Sequence, residues 1–305
     1  MSRPVQPGKP KRPSRVGSPP ASPAAHHRGR VWEPSQGSHA NDRPAQLVER
    51  DLLHGVGRAV AEFDLISEGD RILVAVSGGK DSYSLLAVLE TLRRRAPVSF
   101  ELLAVHLDQG QPGHDPAPLA EWLRTHGFDH RIVREDTYSI VVDKIPEGGT
   151  YCSLCARLRR GILYRLARQL GCTKIALGHH RDDAVETLLL NIFFAGKLAA
   201  IPARLLSDDG ASIVIRPLIY CAEATLARFA KNQRFPILPC HLCGSQPDAQ
   251  RKQMKALLSR LEAKHPNLRQ TMLAALGNVN LSHLLDRKAG DVIHRDSGAP
   301  LRTQR

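Results

Sequence analysis

The sequence predicts an α/β fold: a parallel sheet with helices on both faces and flanking N- and C-terminal helices. Three observations predict it. Short apolar, β-branched runs alternate along the chain with longer segments of helical apolar spacing. The first run, Arg71 to Val76, is apolar at nearly every position, as a strand buried on both faces must be. A glycine turn then leads that run directly into a helix. Strands separated by helices pair in parallel, because each crossover helix returns the chain to the same end of the sheet.

The elements follow in order. Residues 1–45 mix Pro, Ser, Gly and Arg without either period and read as a disordered basic tail. Leu47, Leu52, Val56, Val60 and Phe63 recur at helical spacing and mark a leading helix, ended by the turn Glu68-Gly69-Asp70. After strand 71–76 comes a helix from Ser82 to about Arg95, with Leu85, Leu86, Leu89 and Leu92 on one side. A strand is expected over 102–107, a helix near 119–126, a strand near 131–133, and helices near 140–144 and 154–170. Strand 174–177, helix 182–194, strand 212–215 and helix 223–232 complete the main domain, 46–238. A cysteine-bearing helical region over 239–287 has helices at 246–262 and 268–285, and a loose polar tail occupies 288–305.

Over 305 residues, 42% hydrophobic content supplies a sizeable core. A formal net charge of +13 favours polyanionic partners, nucleic acid first, although the first 45 residues hold much of the excess and a merely solvated tail would also account for it. Aromatic residues make up only 5%, which argues against a broad base-stacking platform. No apolar run approaches the ~18 residues of a membrane span, and the N-terminus lacks the apolar core of a secretory signal, so a cytoplasmic location with no membrane partner is expected. In that compartment the six cysteines do not read as a disulfide framework.

Ser77-Gly78-Gly79-Lys80-Asp81-Ser82 lies between strand and helix, where open parallel sheets bind ligands. Paired glycines let the backbone approach an anion, and the new helix adds its positive end. The Ser77 and Ser82 hydroxyls can donate to phosphate, Lys80 can neutralise it, and Asp81 can hold Mg²⁺ or cap the helix. The spacing is neither that of the Walker loop nor that of dinucleotide folds, and a tight turn with no ligand is the bland alternative. Gly178-His179-His180-Arg181-Asp182-Asp183 closes another strand on the same rim. There Asp182 and Asp183 can serve as N-cap, Mg²⁺ ligand or acid and base.

At the first of these segments the chain resembles the PP-loop ATP pyrophosphatases, an adenine nucleotide hydrolase-like fold, matching S-G-G-x-D-S at every fixed position. The resemblance implies ATP at Ser77 to Ser82, cleavage between its α- and β-phosphates, and transfer of AMP to a carbonyl oxygen. It also brings the end of the second strand, Val105, His106, Leu107 and Asp108, to the adenine. The second segment is similar to the G-H-x-x-D-D of tRNA-thiolating members, which implies that Gly178 and His179 complete the nucleotide site; Asp81, Asp182 and Asp183 are the candidate catalytic carboxylates.

Cys152 and Cys155 form one C-x-x-C and Cys240 and Cys243 another; Cys172 and Cys221 read as ordinary buried thiols. Two such pairs can converge on one metal when the chain folds. Four thiolates would close a structural zinc site, whereas three on a 4Fe-4S cluster would leave one iron open to exogenous sulfur. Residues 152–160, 178–183 and 239–246 resemble the bacterial tRNA 2-thiocytidine synthetase family, over roughly Leu47 to Leu285. That resemblance implies a 4Fe-4S cluster on Cys152, Cys155 and Cys243 with Cys240 nearby, a choice within the later pair that spacing does not decide. It further implies 2-thiolation of cytidine 32 in the anticodon loop of tRNA, sulfur supplied through a cysteine desulfurase, and a homodimer. Arg157 and Arg160, with Arg181, are the candidate RNA contacts, beside Lys144, Arg159 and Arg165. Two other readings remain: an adenylating enzyme whose nucleophile is an amine, and a zinc-stapled RNA-binding module without turnover.

Overall fold

The computed structural model describes residue 32 and residues 43–145, 152–207, 210–239 and 250–285. Cys240 and Cys243, residues 288–305 and nearly all of the basic tail lie outside the described residues, as does the side chain of Cys152.

The chain runs α1 (Arg43–Glu62), β1 (Asp70–Ala75), α2 (Lys80–Arg93), β2 (Phe100–Asp108), α3 (Ala117–Thr125), β3 (His130–Arg134), α4 (Tyr138–Lys144), α5 (Cys152–Gln169), β4 (Lys174–Ala176), α6 (Arg181–Leu190), β5 (Arg204–Leu206), β6 (Ile213–Ile215), α7 (Glu223–Gln233), α8 (Gln250–Glu262) and α9 (Leu268–Leu276). The strands form one sheet in the order β3-β2-β1-β4-β6-β5. All pairings are parallel except that of β5 with β6, so the α/β parallel fold class is as expected.

Alternation along the central strands builds two cores. Ile72 and Val74 of β1 and Ala104 of β2 face one layer, packed by α1, α2, α6 and α7. Leu73, Leu103, Val105 and Ile175 face the other, covered by Ile162, Leu163, Leu166 and Ala167 of α5. Full burial of each such Leu, Ile or Val side chain stabilises by roughly 1.5–3 kcal/mol, so helices are required on both faces.

Three local features differ from the periodicity. β5 is an exposed three-residue antiparallel edge, too short for its sequence to show a period. The helix expected to 194 leaves α geometry after Leu190 and continues as a π turn over Asn191–Ala195, ended by Gly196 at φ +59. The last helix stops at Leu276, capped by Gly277, and a short 3₁₀ turn follows at Leu281–His283. Trp32, within the segment read as tail, is buried among Trp122, His126, Phe128 and Phe235, with ring centroids 5.3 to 6.3 Å away.

With the chain leaving β1 toward β2 on one side and entering β4 on the other, the order reverses between β1 and β4. The crevice outside their carboxyl ends is therefore the topological switch point.

Candidate functional site

The loop after β1 is built around the Ser82 hydroxyl. It donates to the Gly79 carbonyl (2.9 Å) and accepts from the Ser77 N–H (3.1 Å) and the Ser77 hydroxyl (3.2 Å). The Gly79 N–H in turn donates to Ser77 Oγ (3.4 Å), so the two serines hold the loop's shape. Gly78 sits at φ +84, and a Cβ there would lie 2.7 Å from the Leu238 side chain. Leu238 crosses the loop and donates its N–H to the Gly78 carbonyl (2.9 Å), while the Tyr83 hydroxyl ties the same strap through Pro236 O (3.0 Å). The second cysteine pair begins two residues beyond Leu238 in the sequence.

The end of β4 lies against this loop. A Cβ on Gly178 would stand 3.3 Å from Asp81 C and O and from Ser82 N, backbone atoms that cannot swing aside. Gly178→Ala is therefore expected to push the loop by a few tenths of an ångström and lower turnover about ten- to hundredfold, with little change in melting temperature. Steady-state release of the pyrophosphate expected from the loop motif checks this, and wild-type turnover would show that the close approach has no catalytic consequence.

The N-cap of α6 is His180, not either of the aspartates expected there. Its Nδ1 accepts from the Asp183 N–H (3.4 Å), and the Asp183 carboxylate accepts from the His180 N–H (3.0 Å). Asp182 is buried; its Oδ2 accepts from the Glu223 N–H (2.9 Å) at the start of α7, and its Oδ1 lies 3.3 Å from Arg269 Nη1 of α9. Asp182 thus joins three helices. Asp81 has one oxygen 3.0 Å from Lys80 Nζ, and its buried Oδ1 has no hydrogen-bond partner, with His180 Nε2 3.9 Å away.

Lys80 is shared between Asp81 and Glu223 (3.3 Å), and Lys255 of α8 grips Glu223 at 2.6 and 2.8 Å. Burial works against the Lys80 ammonium, but the two carboxylates outweigh it and hold its pKa above the ordinary lysine value. Burial of Glu223 is likewise outweighed by Lys255 and Lys80, which bring it to about 2. A cation at the phosphate loop is thus kept charged and aimed. Burial, assisted by the Arg216 guanidinium, takes His179 down to about 4; Arg216 Nε donates to its Nδ1 (3.3 Å), which leaves a neutral ring with the proton on Nε2.

The end of β2 completes the rim. His106 is buried with Nδ1 2.8 Å from the Val76 carbonyl, which only a protonated Nδ1 can serve; its Nε2 therefore accepts from His114 Nε2 at 3.0 Å. Just past β2, Gln109 meets the first cysteine helix. Its Nε2 donates to Cys155 Sγ (3.2 Å) and Thr137 Oγ1 (2.8 Å), and Arg159 donates to its Oε1 through Nε (3.1 Å) and Nη2 (2.8 Å). Cys155 therefore sits one strand away from the phosphate loop, on the same edge of the sheet. Cys152 shares the first turn of α5. Cys172 and Cys221 are elsewhere; Cys221 is buried, its Sγ 3.2 Å from where a Cβ on Gly55 would be, and burial pushes its thiol up to about 12.

Of the arginines, Arg157 and Arg160 are exposed on α5, whereas Arg181 is mostly buried and pairs with Asp182 (3.4 Å). Arg165 pairs with Glu135. Sequence reasoning did not reach Gln109, Arg216, Glu223, Lys255 or Arg269. Each acts across a long separation in the chain and carries no local motif; only the position of Glu223 at a helix start hinted at a fixed orientation.

A family model described as a PP-loop domain matches residues 52–237. A relative from Sorangium cellulosum named tRNA-cytidine(32) 2-sulfurtransferase is 59% identical over 256 residues, 83% of this chain and 90% of its own length. One of the same name from Aeromonas salmonicida is 54% identical over 82% of this chain and 84% of its own. Among solved structures, a U34-tRNA thiolase from Methanococcus maripaludis with its 4Fe-4S cluster superposes with a TM-score of 0.62 at 20% identity, covering 79% of this chain and 80% of that one, a likeness of fold.

Proposed function

The chain belongs to the PP-loop family and within it to the tRNA-cytidine(32) 2-sulfurtransferases, and from that membership we propose the chemistry its residues perform. It is a tRNA sulfurtransferase that thiolates cytidine. In the proposed reaction the cytidine O2 attacks the α-phosphorus of ATP, the bond to the β-phosphate breaks and pyrophosphate leaves. Sulfide then attacks C2, the carbon–oxygen bond breaks and AMP departs.

The observation that carries this reading is the shared rim: the phosphate loop after β1, the Gly178 turn after β4 and the Cys155 helix beside β2 meet at one edge of the sheet. ATP is assigned to Ser77–Ser82. Main-chain N–H groups at the start of α2 face the phosphates, Lys80 balances their charge, and His106, Gly178 and His179 flank the nucleotide. The buried, unpartnered Asp81 Oδ1 fits a Mg²⁺ ligand, with Asp183 on the adjoining helix start. Asp182, its oxygens already engaged, acts by fixing α6 and α7 rather than by proton transfer.

Cys152, Cys155 and Cys243 are the proposed ligands of a 4Fe-4S cluster. Of these ligands the described one, Cys155, fits: its Sγ receives an N–H from Gln109 and lies 3.6 Å from Arg159 Nη2, donors suited to a metal-bound sulfur. When bound, the cluster supplies an open iron that carries sulfide, delivered from cysteine by a desulfurase. Exposed Arg157 and Arg160, beside this centre, are assigned to tRNA phosphates, and Arg181 to orienting the α6 turn at the same rim.

Mass spectrometry of tRNA nucleosides tests the proposal. Cells lacking this protein are expected to lose 2-thiocytidine and to regain it on re-expression; an unaltered 2-thiocytidine level would reject the assigned substrate and reaction together.

A further inference from the structure

We infer that Gln109, locked by Arg159 and Thr137, is a positioning residue that directs an N–H at the Cys155 sulfur and thereby tunes the sulfur centre. The inference rests on the cluster assignment just proposed.

The orientation of the Gln109 amide follows from chemistry. Guanidinium groups donate and never accept, so the amide atom that meets Arg159 Nε (3.1 Å) and Nη2 (2.8 Å) is the oxygen. The NH₂ end therefore faces the other way. Its two hydrogens meet two acceptors, Thr137 Oγ1 at 2.8 Å and Cys155 Sγ at 3.2 Å. Each hydrogen of the amide is used once and its oxygen accepts twice, so a flipped amide would place NH₂ against guanidinium and oxygen against sulfur.

The backbone beneath it is equally fixed. The Gln109 carbonyl accepts from the Tyr138 N–H (3.0 Å), and the Asp108 carboxylate accepts from the Gly110 N–H (2.9 Å). Gly110 turns at φ +75, where a Cβ would lie 3.1 Å from Asp136 Oδ1. Both Gln109 and Thr137 are buried. An apolar residue of similar size would fill this volume; a glutamine with every hydrogen-bonding atom used is a device for aiming a dipole. Its target is the sulfur, which accepts best as a thiolate. On a metal-bound thiolate, an N–H donor withdraws electron density, favours the reduced state and holds the ligand in place.

The test uses full-length protein purified without oxygen, with iron retention against a chelator and the midpoint potential as readouts. Gln109→Leu is expected to move the potential to a lower value and to reduce about tenfold the chelator concentration that removes half the iron, at an unchanged melting temperature. Thr137→Val keeps the glutamine and its Arg159 contacts but removes one acceptor from its NH₂ end, and is expected to shift both readouts the same way by less; it serves if Gln109→Leu fails to fold. A wild-type protein that carries its cluster beside variants of unchanged potential and iron retention would overturn this inference alone. Wild-type protein without iron would overturn it together with the cluster assignment.

Discussion

Asp81→Asn is expected to lower AMP and pyrophosphate formation at least about a hundredfold while tRNA binding stays close to wild type. Removing one group that stabilises developing charge in a preorganised site typically costs about two to three orders of magnitude in rate. The substitution keeps the side-chain volume, so the loop framework of Ser77, Gly79 and Ser82 is untouched. It takes away the negative partner 3.0 Å from Lys80 and the oxygen proposed for Mg²⁺, leaving Lys80 to Glu223 alone. The proposed tRNA contacts, Arg157 and Arg160, lie on α5 and not in this loop, so filter binding separates the effect from misfolding. Ser77→Ala is expected to act in the same direction, because the Ser77 hydroxyl accepts from Gly79 and donates to Ser82. Pyrophosphate release at the wild-type rate in Asp81→Asn would remove the loop from the mechanism.

Cys155→Ala is expected to abolish both iron binding and 2-thiocytidine formation, with adenylation retained. In the proposed reaction the two halves fall to different strands: the nucleotide mainly to the ends of β1 and β4, the sulfur centre to α5 against the end of β2. Cys221→Ala provides the control, since that buried thiol lies under Gly55 in the core and is expected to keep iron and product alike. The measurements are iron and sulfide content per chain, pyrophosphate release and nucleoside mass spectrometry. A variant that lost iron yet still thiolated tRNA would remove the cluster from the chemistry, and zinc in the wild-type protein would favour a purely structural site.

The two predictions draw differently on sequence and fold. Everything about the phosphate loop that depends on contiguous residues is legible in Ser77 to Ser82: a buried strand, paired glycines, a helix start. Strand and helix periods are local as well, which is why the order of elements and the parallel class emerge from the alternation alone. β5 and the π turn at Asn191–Ala195 were not legible, because three exposed residues carry no period and one short turn at a helix end has no following helical residues to reveal its shifted spacing.

What the sequence by itself determined was therefore the helices and parallel strands, the chemistry of the short motifs and, through their resemblance, the family. Only the tertiary structure decided which elements meet. Lys80 and Glu223 are 143 positions apart, and Cys155 and Gln109 are 46 apart. The strand order β3-β2-β1-β4-β6-β5 brings them to one rim. The physical reason is that a periodic pattern reports which face of an element is buried, whereas the neighbour it is buried against depends on crossover direction and packing over the whole chain. Gln109 carries no signature of its own, and its meaning arises where Arg159, Thr137 and Cys155 converge on its amide.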